Sequence, residues 1–199
     1  MKFEDFLKNY DKPSFIVLLE GKRVVAEEDK EKLLKLSELL AVSTKNITFR
    51  SGNANGADDL FISGIASFDA SRVELITPYS NHNKANNLGY KTNALDEIDL
   101  INEPEVVYHS KIRKKNTKII EKYAQGEKNA VTINAAYLIR DTIKVIGTKS
   151  GIKAANFAIF YDDLSNPIKG GTGHTMQVCI NNSIPFINQK IWFNWIEKK

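Results

Sequence analysis

The sequence predicts an α/β protein: a Rossmann-like three-layer α/β/α domain with a mainly parallel sheet. Three observations predict it. Apolar runs of strand length alternate with segments of helical period from one end of the chain to the other. Past their first residues, Ser14 and Asn156, the runs at 14–19 and 156–161 are apolar, as strands buried on both faces require. Glycine-rich stretches stand where strands hand over to helices, at 51–59 and 170–175.

Taken in order, Phe3–Tyr10 is amphipathic, with Phe3, Phe6 and Leu7 on one side, and Asp11-Lys12-Pro13 ends it. Ser14–Leu19 is the first strand. Glu27–Leu40 is a helix: Leu33, Leu34, Leu36, Leu39 and Leu40 fall at helical spacing, and Glu27, Glu28 and Asp29 oppose the dipole in the first turn. Asn46–Arg50 is the second strand, Asp58–Phe68 a helix, and Val73–Pro78 the third strand. The stretch around 84–130 reads as a helical insertion of short helices rather than strands, with one helix over 105–124 and a basic cluster at Lys111–Lys115. Thr132–Val145 is a helix that buries Ala135, Ala136, Leu138, Ile139, Ile143 and Val145. Asn156–Tyr161 is the fourth strand, Thr175–Asn181 a helix and Ile184–Asn188 the fifth strand. The tail 190–199, with Trp192, Phe193 and Trp195, caps the domain or packs against another subunit.

Length and composition bound the function. At 199 residues and 42% hydrophobic content, one sizeable domain is expected. No run of 18 apolar residues occurs, so no membrane partner is expected. The charged, amphipathic start Met1–Phe6 lacks the features of a signal peptide. The single cysteine, Cys179, stands among Met176, Val178 and Ile180 and reads as a core thiol. A cytoplasmic location is the expectation. The net charge of +4 suits an anionic ligand but is too small and scattered to demand nucleic acid. His, Cys and Asp residues show no metal-ligand spacing, so neither metal nor cofactor is expected.

The chemistry lies in the glycine stretches. A strand-to-helix turn rich in glycine presents bare backbone N–H groups at the positive end of a helix dipole, a place for phosphate or carboxylate. Two such turns on neighbouring parallel strands would frame one nucleotide-sized crevice. In the first turn, Ser51, Gly52, Asn53, Gly56, Ala57 and Asp58 are candidates; Asp58 either stabilises its helix start or meets a ribose hydroxyl. In the second, Gly170, Gly171, Thr172, Gly173, His174 and Thr175 are candidates, the threonines as caps, as phosphate donors or as both. Arg140 has two open readings, a salt bridge or a face toward the ligand. Tyr79 either stacks on a base or packs in the core.

These residues resemble a known family. Phe49–Asp58 is similar to the SGGAxGAD turn of the SLOG superfamily, which unites DNA-processing protein A with the lonely-guy phosphoribohydrolases. Ile168–Thr175 followed by Ile184–Asn188 resembles its GGT and GIPVxNL motifs, and Arg140–Gly147 resembles an RNxxxVLG stretch of phage-type members. The match spans most of 14–188, and phage and bacterial members are the most similar. The resemblance implies a nucleotide or nucleotide-derived ligand between the two turns, with a homodimer as the assembly. It departs at one point: the hydrolases carry a glutamate after the second turn, where Thr175, Met176 and Gln177 stand here. Glutamine exchanges no proton, so a binding module is preferred to a nucleoside-monophosphate N-glycosidase. An N-glycosidase would need Asp58, Asp59, Asp162 or Asp163 as its acid. Single-stranded DNA is the less favoured partner, supported independently only by the basic cluster.

Overall fold

The computed structural model describes residues 1–197; Lys198 and Lys199, the end of the tail read at 190–199, lie outside the described residues. Strands β1 (Ile16–Gly21), β2 (Thr48–Ser51), β3 (Val73–Thr77), β4 (Lys91–Ala94), β5 (Phe157–Tyr161) and β6 (Phe186–Asn188) form one sheet in the order β4-β3-β2-β1-β5-β6. Every neighbouring pair is parallel. Around it lie α1 (Phe3–Tyr10), α2 (Glu27–Ser43), α3 (Ala57–Asp69), α4 (Pro104–Ser110), α5 (Thr117–Ala124), α6 (Ile133–Ile146), α7 (Gly170–Asn181) and α8 (Gln189–Glu197).

The uniformly apolar runs are explained by two-sided burial. Val17 and Leu19 of β1 join Phe157 and Ile159 of β5 in a core with Phe6, Leu33, Phe61 and Trp192, under α1, α2, α3 and α8. Ile16 and Leu18 face the other way, against Val145, Met176, Val178 and Cys179 of α6 and α7. Farther along that second face, Ile76 and Leu95 pack with Val106, Ile120 and Ile139 from α4, α5 and α6. The tail tryptophans are taken up by the chain's own core: Trp192 donates to the Phe160 carbonyl at 3.0 Å, and Trp195 lies 5.3 Å from the Phe6 ring.

Three expectations are corrected. The 84–130 stretch is not wholly helical, because Lys91–Ala94 pairs with β3 as an edge strand. Its polar sequence hides it, since an edge strand needs no two-sided burial; Lys91 instead pairs at 2.7 Å with Glu74, which also holds the buried Arg50 of β2. The single helix over 105–124 is two, redirected by a tight turn at Lys114–Asn116. Finally, α7 begins at Gly170 rather than Thr175, so the second glycine stretch is itself the first helical turn.

The strand order places the site. From β1 the chain steps outward through β2, β3 and β4, then returns to the opposite side of β1 for β5 and β6. The direction reverses between β1 and β5, and open α/β sheets bind ligands beyond the carboxyl ends of the strands at such a point.

Candidate functional site

A crevice of about 370 Å³ opens there. Glu20 and Gly21 end β1, Asp162 follows β5, Asp58 begins α3, Gly170, Gly171 and Thr172 begin α7, and Arg140, Asp141 and Lys144 project from α6. Lys22, Arg23 and Lys169 also line it. The two glycine stretches thus converge on one cavity, although β2 and β5 are separated by β1 rather than adjacent.

On the α7 side, the helix bonds across its cap begin with Gly173 N–H to the Lys169 carbonyl at 2.9 Å. The N–H groups of Gly170, Gly171 and Thr172 precede that bond, and the N-cap Lys169 supplies no side-chain acceptor. The approach is strained: Ile168, a β-branched residue, holds φ +59°, and Gly170 follows at +66°. Asp162 steadies this loop by accepting from Ile168 N–H at 3.3 Å. Gly173, His174 and Thr175 are buried and lie off the cavity wall. A Cβ on Gly173 would stand 2.0 Å from the Ile168 carbonyl carbon, so this glycine seats the helix on its own entry loop. His174 Nε2 lies 3.2 Å from the Leu138 carbonyl, and Thr175 donates to Glu20 Oε1 at 2.8 Å. Neither threonine caps the helix.

The first stretch is used differently. Gly52 N–H and Gly21 N–H both donate to the Asp58 carboxylate, at 3.2 and 3.0 Å. Asp58 therefore ties the end of β1 to the turn, rather than capping its own helix. Arg140 Nη1 donates to the Gly52 carbonyl at 2.7 Å. Ala57 is buried, with its N–H on the Lys22 carbonyl, and Gly56 adopts φ +93°. Ser51 Oγ is buried without a hydrogen-bond partner among the described residues. Asn53 turns away, clasping the loop after β3: its amide donates to the His82 carbonyl at 3.1 Å, and Asn83 donates back to the Asn53 carbonyl at 2.7 Å. Tyr79 lies off this crevice and lines a different cavity. Of the candidates, Asp58, Arg140, Gly170, Gly171 and Thr172 reach the crevice wall.

The floor is an ion network that the sequence reading missed. Lys144 Nζ bridges Glu20 Oε2 at 2.6 Å and Asp141 Oδ1 at 2.9 Å, and Arg140 Nε lies 3.1 Å from the same Asp141 oxygen. Arg140 thus both pairs with an acid and faces the cavity. Burial pushes the Glu20 carboxyl up to about 7; Lys144 opposes that rise, while Asp141 and Asp58 add to it. Burial also works against the Asp141 carboxylate, but Arg140 and Lys144 hold its pKa below the usual range. Burial and Arg140 press against the Lys144 ammonium, yet Asp141 and Glu20 keep its pKa above that of a free lysine. The clue in the sequence was the placement of these charges: Glu20 closes an apolar strand just before Gly21, and Lys144 lies among Ile143 and Val145 on a buried helix. Cys179, buried, has its thiol pushed up to about 12 and is chemically quiet. Among the described residues, no group of three His, Cys, Asp or Glu is arranged to hold a metal, and no helix is long and apolar enough to cross a membrane.

No protein-family model and no curated protein sequence matches the chain. Among solved structures it is similar to DNA processing protein A from Helicobacter pylori, described for its single-stranded DNA binding mode, with a TM-score of 0.50 and 17% identity. The match covers 94% of this chain and 68% of that one. At this identity the likeness is one of fold: the chain has a Rossmann-like α/β fold similar to that of DNA processing protein A.

Proposed function

We propose that this protein is a SLOG-type module that binds a nucleotide or nucleotide-derived small molecule in the crevice between β1 and β5. One observation carries the reading: the open N–H groups at the start of α7 line a cavity at the reversal point of the sheet. Lys22, Arg23 and Lys169 line the same space and favour an anion. Asp141 and Glu20 offer acceptors for sugar hydroxyls. Isothermal titration against nucleoside mono- and diphosphates tests it. Micromolar binding that is lost on K169E supports the reading; no heat from any nucleotide at millimolar concentration overturns it.

A second reading, hydrolysis of a nucleoside monophosphate at its N-glycosidic bond, is favoured by Glu20. Its carboxyl lines the crevice and is poised near neutrality, where a general acid or base works best. It stands on β1 rather than after the second turn. Incubation with AMP and assay for ribose 5-phosphate decides this; release that E20Q abolishes supports hydrolysis, and no release leaves binding as the function. Single-stranded DNA is the less favoured partner because part of the basic cluster is engaged: Lys111 pairs with Glu121 at 2.8 Å, and Arg113 donates to the Ile168 carbonyl at 3.1 Å.

A further inference from the structure

A second cavity, of about 310 Å³, opens at the carboxyl end of β3. Pro78, Tyr79, Tyr123 and Ile133 give it flat and apolar walls, and Asp96 and Asn129 bring hydrogen-bonding groups to the same space. Lys128 also lines it, with its ammonium 5.7 Å from the Tyr123 ring centre. This combination of planar faces and a few polar edge groups fits a nucleobase.

The cavity is joined to the crevice by a run of rings. Tyr79 meets His82 edge-on at 5.1 Å, and His82 meets Tyr137 edge-on at 5.9 Å. Arg140 and Arg23, both on the crevice wall, lie over Tyr137 at 5.8 and 6.0 Å. Both ring nitrogens of His82 are sealed from solvent without a hydrogen-bond partner among the described residues. Burial, with Arg140 and Arg23 nearby, lowers its pKa to about 4, so the imidazole is an uncharged plate at neutral pH. The order from crevice to cavity is therefore cation, three rings and an apolar slot. Such a run of rings offers faces on which a second base can stack.

We propose that the cavity beyond Tyr79 is a second base site, so that the ligand is a dinucleotide with a phosphate in the crevice and its outer base in this slot. The proposal rests on the nucleotide reading of the crevice. A second base stacked on tyrosine strengthens binding by roughly 10- to 100-fold. Titration with AMP, with 5′-phosphorylated diadenylate and with the same dinucleotide lacking its outer base separates the contributions. The expected result is diadenylate binding at least about tenfold tighter than AMP, with the abasic compound equal to AMP. Ile133 is 37% exposed, so I133W fills the slot without disturbing the core. That variant should erase the diadenylate advantage, while Y79F, which keeps the ring, retains it. Equal affinity for AMP and diadenylate, or an advantage that survives I133W, overturns the second site while leaving the crevice reading intact. Binding of neither compound overturns both.

Discussion

The two glycine-rich stretches look alike in sequence and use their glycines for opposite ends. At 51–58 the space that glycine leaves is filled by the protein. A Cβ on Gly52 would fall 1.8 Å from Arg140 Nη1, and one on Gly56 would fall 2.1 Å from the Arg23 carbonyl oxygen. At the start of α7 the space stays open. A Cβ on Gly170 meets nothing within 4 Å, and one on Gly171 meets only Asp141 Oδ2 at 3.5 Å. The first stretch is a joint that locks β1, α3 and α6 together; the second packs Gly173 on its own entry loop and leaves Gly170 and Gly171 open, which is why we propose it as a cradle. A run of glycines reports that something must come close, and only the neighbouring side chains say whether it is protein or guest.

The strongest way to break this comparison is to remove the cation beneath both stretches. K144A would strand Glu20 and Asp141 without their shared ammonium, and we expect a loss of about 3–5 kcal/mol in urea unfolding. A loss under about 1 kcal/mol would mean that the network does not hold the two stretches in place. Next in size is G56A, which meets both a left-handed backbone and the Arg23 carbonyl. A cost of about 3 kcal/mol is expected, and near-wild-type stability would show that the first stretch is not a tight joint.

A sharper variant is G171A in the cradle. The added methyl has room, and alanine is the better helix former, so the unfolding midpoint should stay at or slightly above wild type. The same methyl stands on the crevice wall beside the open N–H groups, and nucleotide affinity should fall by roughly tenfold or more, a loss of about 1.4 kcal/mol.

The smallest effect concerns pH. Because the Glu20 pKa is raised on folding, the folded state holds a proton that the unfolded chain releases between its ordinary pKa of 4.5 and about 7. Its contribution to stability therefore falls as pH rises through that window and is constant above it. His82, lowered to about 4, acts in the opposite direction: the unfolded chain binds the extra proton between about 4 and 6.5, so stability rises with pH there. Subtracting one protein from the other isolates Glu20. The stability of E20Q relative to wild type should climb from pH 4.5 to 7 and then level off, in denaturant melts at matched ionic strength. A difference that is flat across this range would contradict the buried, proton-holding state of Glu20.

Much of the fold was legible because burial on both faces writes an apolar run. The strands at 14–19 and 156–161 carry that mark, those at 46–50 and 73–78 carry it interrupted by polar residues such as Arg50 and Glu74, and each proved to be sheet. Lys91–Ala94 does not, since an edge strand can remain polar. The start of α7 was hidden for another reason: three glycines in four residues read as a turn, while the packing of Gly173 on the Ile168 backbone lets them begin a helix. In the crevice, Gly170, Gly171, Thr172, Asp58 and Arg140 were readable from pattern. Glu20 and Lys144 were not, because the strand end and the helix that carry them lie 124 residues apart and show their pairing only when folded together. Gly173, His174 and Thr175 sat beside the right residues in sequence, but the helical twist carries them away from the wall.

Calorimetric titration of a nucleoside diphosphate into wild type and G171A, with thermal melts of both, tests most directly whether the start of α7 is an anion cradle. We predict saturable binding to wild type, affinity reduced at least about tenfold in G171A, and melting temperatures that agree within about 2 °C. Undiminished binding to an intact G171A protein would contradict it, since the ligand would then be held somewhere other than on those N–H groups.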